Sequence, residues 1–203
     1  MQNSTDKWWS SLERTLSAGQ QIANSSMQFD LACGHIVQLL IDASTLLAAG
    51  SHATATFLAV TALEETSKVH MGMYRRATSP VKRSRDPLYN HSQKHLLAFG
   101  PTVAMGSRLQ AAIGESRMNE LIELGRGGGL VGLREAALYV EQSGNVLNAP
   151  KAVVVESTAR ELLLLAVEAF DDALVGYTNE SVQLGKQTDE IFEKWADAYH
   201  SSL

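Results

Sequence analysis

Apolar residues recur along this chain at intervals of three and four, the spacing of one helix face, and no stretch shows a convincing strand-like alternation. From Thr5 to about Asn24 the stripe is Trp8, Leu12, Leu16 and Gly19, with Trp9 beside it. Ser4, Thr5 or Asp6 stands where a cap belongs. Two adjacent tryptophans can anchor a partner or seal the end of a core, because each brings a large apolar area. A second helix is predicted from Met27 to Ala49, through Leu31, Ile36, Val37, Leu40 and Leu46–Leu47, with His35 and Asp42 interrupting its apolar surface. Gly50 is its stop signal and Ser51 the expected cap of the next helix.

The third helix, from His52 to about Arg76, is the informative one. Ala55, Leu58, Ala59, Ala62, Val69 and Met73 share one face, while Phe57, Val60 and Leu63 cover the others. A helix that is apolar all round is central to its bundle. It then presents Glu64, Glu65 and Lys68 within little more than a turn. Glu64 and Lys68, four apart, can form a solvated pair; the competing reading puts these groups against a neighbouring helix.

Arg75 to Pro87 carries Arg75, Arg76, Lys82, Arg83 and Arg85 with two prolines, and reads as a mobile loop. Helical spacing resumes from Leu88 to about Ile113, broken at Gly100-Pro101. Gly125 to Gly129 is expected to be a flexible loop; it lacks the Gly-Lys-Ser/Thr ending of a phosphate cradle. Leu133 to Glu141 reads as a short helix or turn, and Ser143-Gly144-Asn145 as a break. Pro150 opens a long helix extending to about Tyr177. A last amphipathic helix carries Val182, Ile191, Phe192, Trp195 and Tyr199, and either closes the core or dimerises. The expected fold is an all-α antiparallel bundle forming one domain over 1–203, with a core at about 27–178 and terminal helices at 5–24 and 180–200.

Composition narrows the function. At 45% hydrophobic and 19% charged residues the chain is not a disordered one. A net charge of -5 gives no overall pull toward nucleic acid or anionic lipid, so any such contact must use the basic stretch from Arg75 to Arg85. Cys33 is the single cysteine, which excludes an intrachain disulfide and fits a buried thiol in a reducing compartment. Gln2 to Lys7 is polar, unlike a signal peptide, and the apolar run from Glu161 to Phe170 is broken by acids at Glu161, Glu168, Asp171 and Asp172. A cytoplasmic protein without a membrane span is expected.

The candidate chemistry gathers around His91. His91 and Lys94, three apart, share a helical face, with His95 one turn beyond His91. Histidine suits proton transfer near neutral pH, and lysine or arginine suits a phosphate. Across a packed helix pair, Glu65 could orient His91, or Glu64 could hold Lys68. The competing reading is a buried hydrogen bond that merely fixes two helices. No Glu-x-x-His pair of the di-iron kind occurs, so neither a metal nor another cofactor is expected. His52, His70 and His200 are scattered and expected at the surface.

The ordered set Leu63-Glu64-Glu65-Thr66-Ser67-Lys68, His91-Ser92-Gln93-Lys94 and Leu138-Tyr139-Val140-Glu141 resembles the AbiV-type abortive-infection proteins of the HEPN superfamily, over roughly Met27 to Ala173. The resemblance implies a helical bundle, often dimeric, acting in bacterial defence against phage. Many HEPN proteins are metal-independent ribonucleases with an arginine and a histidine separated by four to six residues. Arg85 and His91, with five between them, match that motif and become catalytic candidates together with Lys94. Pro87 places Arg85 outside the helix that carries His91. Lys82 and Arg83 would bind RNA phosphate, and Glu64, Glu65 and Lys68 would support the site. Expected partners are RNA, a second copy of the chain, and a phage-encoded trigger or regulatory protein. The alternative is a non-catalytic interaction protein of a defence or toxin–antitoxin system.

Overall fold

A computed structural model describes residues 4–77, 79–100 and 107–200. Its axis is α3, His52–Met73, which packs against α2 (Ser26–Ala48), α4 (His91–Ala98) and α9 (Glu156–Leu174). Ala55, Ala59 and Ala62 are buried in this contact, and short side chains let helix axes approach closely. The remaining helices are α1 (Ser4–Ser17), α5 (Ser107–Ile113), α6 (Glu115–Arg126), α7 (Gly129–Ala136), α8 (Pro150–Val153) and α10 (Asn179–His200). The all-α expectation holds, with one small exception. Strands β1 (Glu141–Ser143) and β2 (Val146–Asn148) pair antiparallel around Gly144-Asn145, where a break was expected. Three residues per strand are too few to show a period of two.

Several boundaries differ from expectation for identifiable reasons. α1 stops at Ser17, short of Asn24; the side chains of Ser4 and Thr5, two of the expected caps, lie outside the described residues, and Asp6 falls in the first turn. Ser25 caps α2 by accepting from the Gln28 N–H at 3.3 Å. Gly50, at φ +74°, ends the α2 turn as expected. Ser51 stands at the N-cap position of α3, but its hydroxyl donates to Thr54 and leaves the backbone uncapped. The expected break at Gly100-Pro101 falls partly outside the described residues; α4 ends at Ala98.

The glycine run is mostly helix. Gly125 and Arg126 end α6, Gly129 begins α7, and the turn between them places Gly128 at φ +82°. Gly125 is required because the Phe99 ring lies directly on its backbone, where a Cβ would overlap it. The helix expected from Pro150 to Tyr177 is interrupted by extended backbone at Val154 and Val155, giving α8 and then α9.

One contiguous apolar cluster takes in α2, α3, α9 and the inner face of α10. Ile191, Phe192 and Trp195 belong to it, and the Trp195 indole donates to Ser44 at 2.9 Å, so α10 closes the core. Tyr199, expected on that face, has a side chain outside the described set. Cys33 is fully buried on α2, and burial pushes its thiol up to about 12. By length and hydropathy alone α2 could cross a membrane; here it is packed by α3, α9 and α10.

Candidate functional site

The connector between α3 and α4 has local structure in its second half. It forms two 3-10 turns, Arg83–Arg85 and Pro87–Tyr89, and its anchor is a buried ion pair between Arg75 and Asp86. Arg75 also donates to the Thr15 carbonyl at 3.1 Å, tying in the end of α1, while Asp86 accepts from the Leu88 N–H at 3.0 Å. Two carboxylate oxygens meeting a guanidinium fork make a geometrically specific pair. Asn90 then caps α4 by accepting from the Gln93 N–H at 3.0 Å, which sets His91 at the first helical position. From α1, Ser11 and Arg14 both donate to the Gln93 side chain.

This frame brings the N-terminal half of α4 against the polar stretch of α3, and the carboxylate that organises the contact is Glu64. Its side chain is 2% exposed. It accepts from His91 Nδ1 at 2.7 Å, from Lys94 Nζ at 2.7 Å and from His95 Nε2 at 2.9 Å. Arg134 on α7 brings its Nε to 3.7 Å while its guanidinium lies over the Phe57 ring. Burial alone would raise the Glu64 pKa, but the hydrogen bonds from His95 and Lys94 and the Lys94 charge outweigh it and hold it at about 2. An ionised carboxylate only accepts, so His91 donates from Nδ1 and His95 from Nε2.

Helical geometry explains which acid does this. Successive side chains on a helix turn by about 100°, so Glu64 faces α4 while Glu65 lies beside it at the margin, 22% exposed. The expected pairings are therefore exchanged. Glu64, not Glu65, holds His91, and Lys68 pairs with Glu65 at 2.6 Å rather than with Glu64. Lys94 is buried on Glu64, with Glu65 at 3.9 Å, and does not stand at the surface where a phosphate would lie. The His91 side chain is 45% exposed, and its Nε2 has no partner among the described residues.

Around His91 the exposed groups are basic and aromatic. Tyr89 is 39% exposed, with the Arg83 guanidinium 4.6 Å and the Lys68 ammonium 5.6 Å from its ring centre. Lys82 and Arg85 are exposed on the connector, and Arg85 lies outside α4 in the first 3-10 turn. The structure thus joins His91, Lys94 and Glu64 directly, brings Glu65 and Lys68 to their edge, and gives Lys82 and Arg85 no hydrogen bond or ion pair to His91 among the described residues. His95 and Arg134 were missed as site members. His95 had a signal, four residues after His91 on one helix face; Arg134 had none, since only tertiary packing brings α7 to Glu64. Among the described residues no group of three or more His, Cys, Asp or Glu is placed to hold a metal ion.

Fold and site together define a class: a helical bundle whose central helix supplies a buried carboxylate to a half-exposed histidine on the next helix. The AbiV family model matches residues 25–170, well over half of the chain. The chain belongs to the AbiV family of HEPN proteins, an abortive-infection family. No curated protein and no solved structure matches it.

Proposed function

We propose that this AbiV-family chain cleaves RNA without a metal ion during abortive infection, with His91 as its acid–base group. The observation that carries the reading is the half-exposed His91 ring, held at Nδ1 by buried Glu64 and open at Nε2. Glu64 fixes the tautomer and ring orientation, leaving the Nε2 lone pair to take a proton from a ribose 2′-hydroxyl. The freed oxygen attacks the adjacent phosphorus, the 5′-oxygen leaves and takes a proton from solvent water, the His91 imidazolium gives its proton back to solvent, and a 2′,3′-cyclic phosphate remains. Lys94 and His95 keep Glu64 ionised and placed; they position His91 and do not touch RNA. Arg83, Lys68, Lys82 and Arg85 supply positive charge for the backbone, and Tyr89 an aromatic surface beside it. A two-fold pair of chains would present two such histidines to one RNA.

Purified protein incubated with RNA in excess chelator is expected to give cyclic-phosphate ends. His91→Ala should lower the rate by at least about 100-fold with little change in melting temperature, because the ring is half exposed. Undiminished cleavage by that variant would sink the proposal. The second reading, a structural pin in a non-catalytic interaction protein, draws support from the burial of Lys94 and His95. It predicts no cleavage by the wild type and a large stability loss on truncating His95.

A further inference from the structure

Away from Glu64, a cavity of about 320 Å³ lies between α1, α3, α4 and α9. Its volume falls within the range of small-molecule sites. Its walls are apolar, with Leu97 and Met71 among them, and three aromatic rings line it: Trp8, His70 and Tyr74. Asp172 supplies the acid. His70, expected at the surface, is partly buried, and burial lowers its pKa, which favours the uncharged ring.

Asp172 stands apart from the acids around it. Arg108 pairs with Glu168, Asp171 and Asp189, whereas Asp172 has no hydrogen bond or ion pair among the described residues. Asp172 is exposed as a residue, but partial burial of its carboxyl, together with Glu168 and Asp171, pushes it up to about 6, with Arg108 only partly opposing them. A cation arriving beside Asp172 would be balanced by a carboxylate that the fold leaves unpaired. Aromatic faces attract the same kind of ion through their quadrupoles.

We propose that this cavity binds an organic ammonium carried on an apolar body, with Asp172 meeting the charge and Trp8 and Tyr74 flanking it. Each of the two features selects one half of such a ligand, the acid its charge and the apolar walls its body. The site is separate from the ribonuclease reading and does not depend on it. It does share helices with that site. His70 is six residues beyond Glu64 on α3, about 9 Å along the axis, and Leu97 is three beyond Lys94 on α4. A ligand seated there touches the two helices whose contact orients His91.

The test titrates phenethylammonium, uncharged 2-phenylethanol and anionic 3-phenylpropionate into the full chain at pH 8, with calorimetric detection. The ammonium should bind at least about tenfold more tightly than the alcohol, and the carboxylate most weakly. Asp172→Asn should bring ammonium and alcohol to within about twofold of each other, and Trp8→Leu should weaken both. Equal binding of ammonium and alcohol by the wild type would overturn the proposal, as would no ammonium binding at about 10 mM or a preference that survives Asp172→Asn. The wild-type series decides the matter even should a variant fold poorly.

Discussion

Two ionic clusters of this bundle are built with opposite polarity. Around Glu64 a buried carboxylate gathers His91, Lys94 and His95; around Arg108 a guanidinium gathers Glu168, Asp171 and Asp189. The Arg108 cluster ties α5 to α9 and α10, with its guanidinium spread over three carboxylates and stacked on Phe192. The Glu64 cluster also joins helices, but His91 keeps an open nitrogen. A network whose members all face one another is a fastener. One that holds an acid–base group at the surface can also do chemistry.

Breaking each cluster at its centre should separate these roles most widely. Glu64→Gln leaves buried Lys94 without its direct counter-ion, Glu65 remaining only at 3.9 Å, which costs about 3–5 kcal/mol of stability, and it also releases His91, so cleavage should vanish. Arg108→Met removes a guanidinium that is 34% exposed. It should cost about 1–2 kcal/mol and leave cleavage per folded molecule unchanged. Denaturant unfolding beside a cleavage assay reads both. Equal loss of cleavage in the two variants would mean that the Glu64 cluster is only another fastener.

The pH dependence should also differ in sign. Glu64 sits at about 2 in the fold, below its ordinary 4.5. Its contribution is fully present above pH 4.5 and is lost as pH falls toward 2, on the order of 3 kcal/mol over that window. Asp172, beside the Arg108 cluster, is raised to about 6 from 3.8, so its charge opposes folding above pH 6 and that opposition fades as pH falls through 6 toward 4. Because Asp172 is solvent-exposed, screening limits this effect to under about 1 kcal/mol. Stability measured from pH 8 to 3 should fall steeply below 4.5 in the wild type and more gently in Glu64→Gln. Asp172→Asn should raise stability slightly at pH 8. A decrease there would show Asp172 paired in solution.

Much of this arrangement was legible in the sequence, in proportion to how local its causes are. The central α3 followed from its all-round apolar surface, and His91 with Lys94 from their shared face. Glu64 and Glu65 were visible as a pair, but one residue of helix phase decides which is buried, and only the packing of α4 settles that phase. The connector was misread because its composition is that of a loop. One pair across the connector, Arg75 with Asp86, anchors it, and nothing in local charge marks Arg75 as the buried member among so many cations. Arg134 was invisible for the same reason: its neighbour in space is 70 positions away in sequence, a gap read from the two residue numbers.

The smallest effect belongs to Arg85, and it sharpens the contrast between held and free cations. Arg75 and Arg85 stand in one basic stretch, yet Arg75 is buried on Asp86 and Arg85 is exposed in a 3-10 turn. Arg75→Met should therefore cost about 3 kcal/mol or more. Arg85→Ala should change stability by no more than about 0.5 kcal/mol. If Arg85 only attracts RNA from the connector, its loss raises KM a few-fold, leaves kcat unchanged, and lowers the salt slope of binding by about one. A fall in kcat without a change in KM would instead place the guanidinium at the reacting phosphate and restore it as His91's catalytic partner. Measuring both constants at two salt concentrations distinguishes the cases, because a charge that only steers is screened by salt whereas one that stabilises the transition state at contact is screened far less.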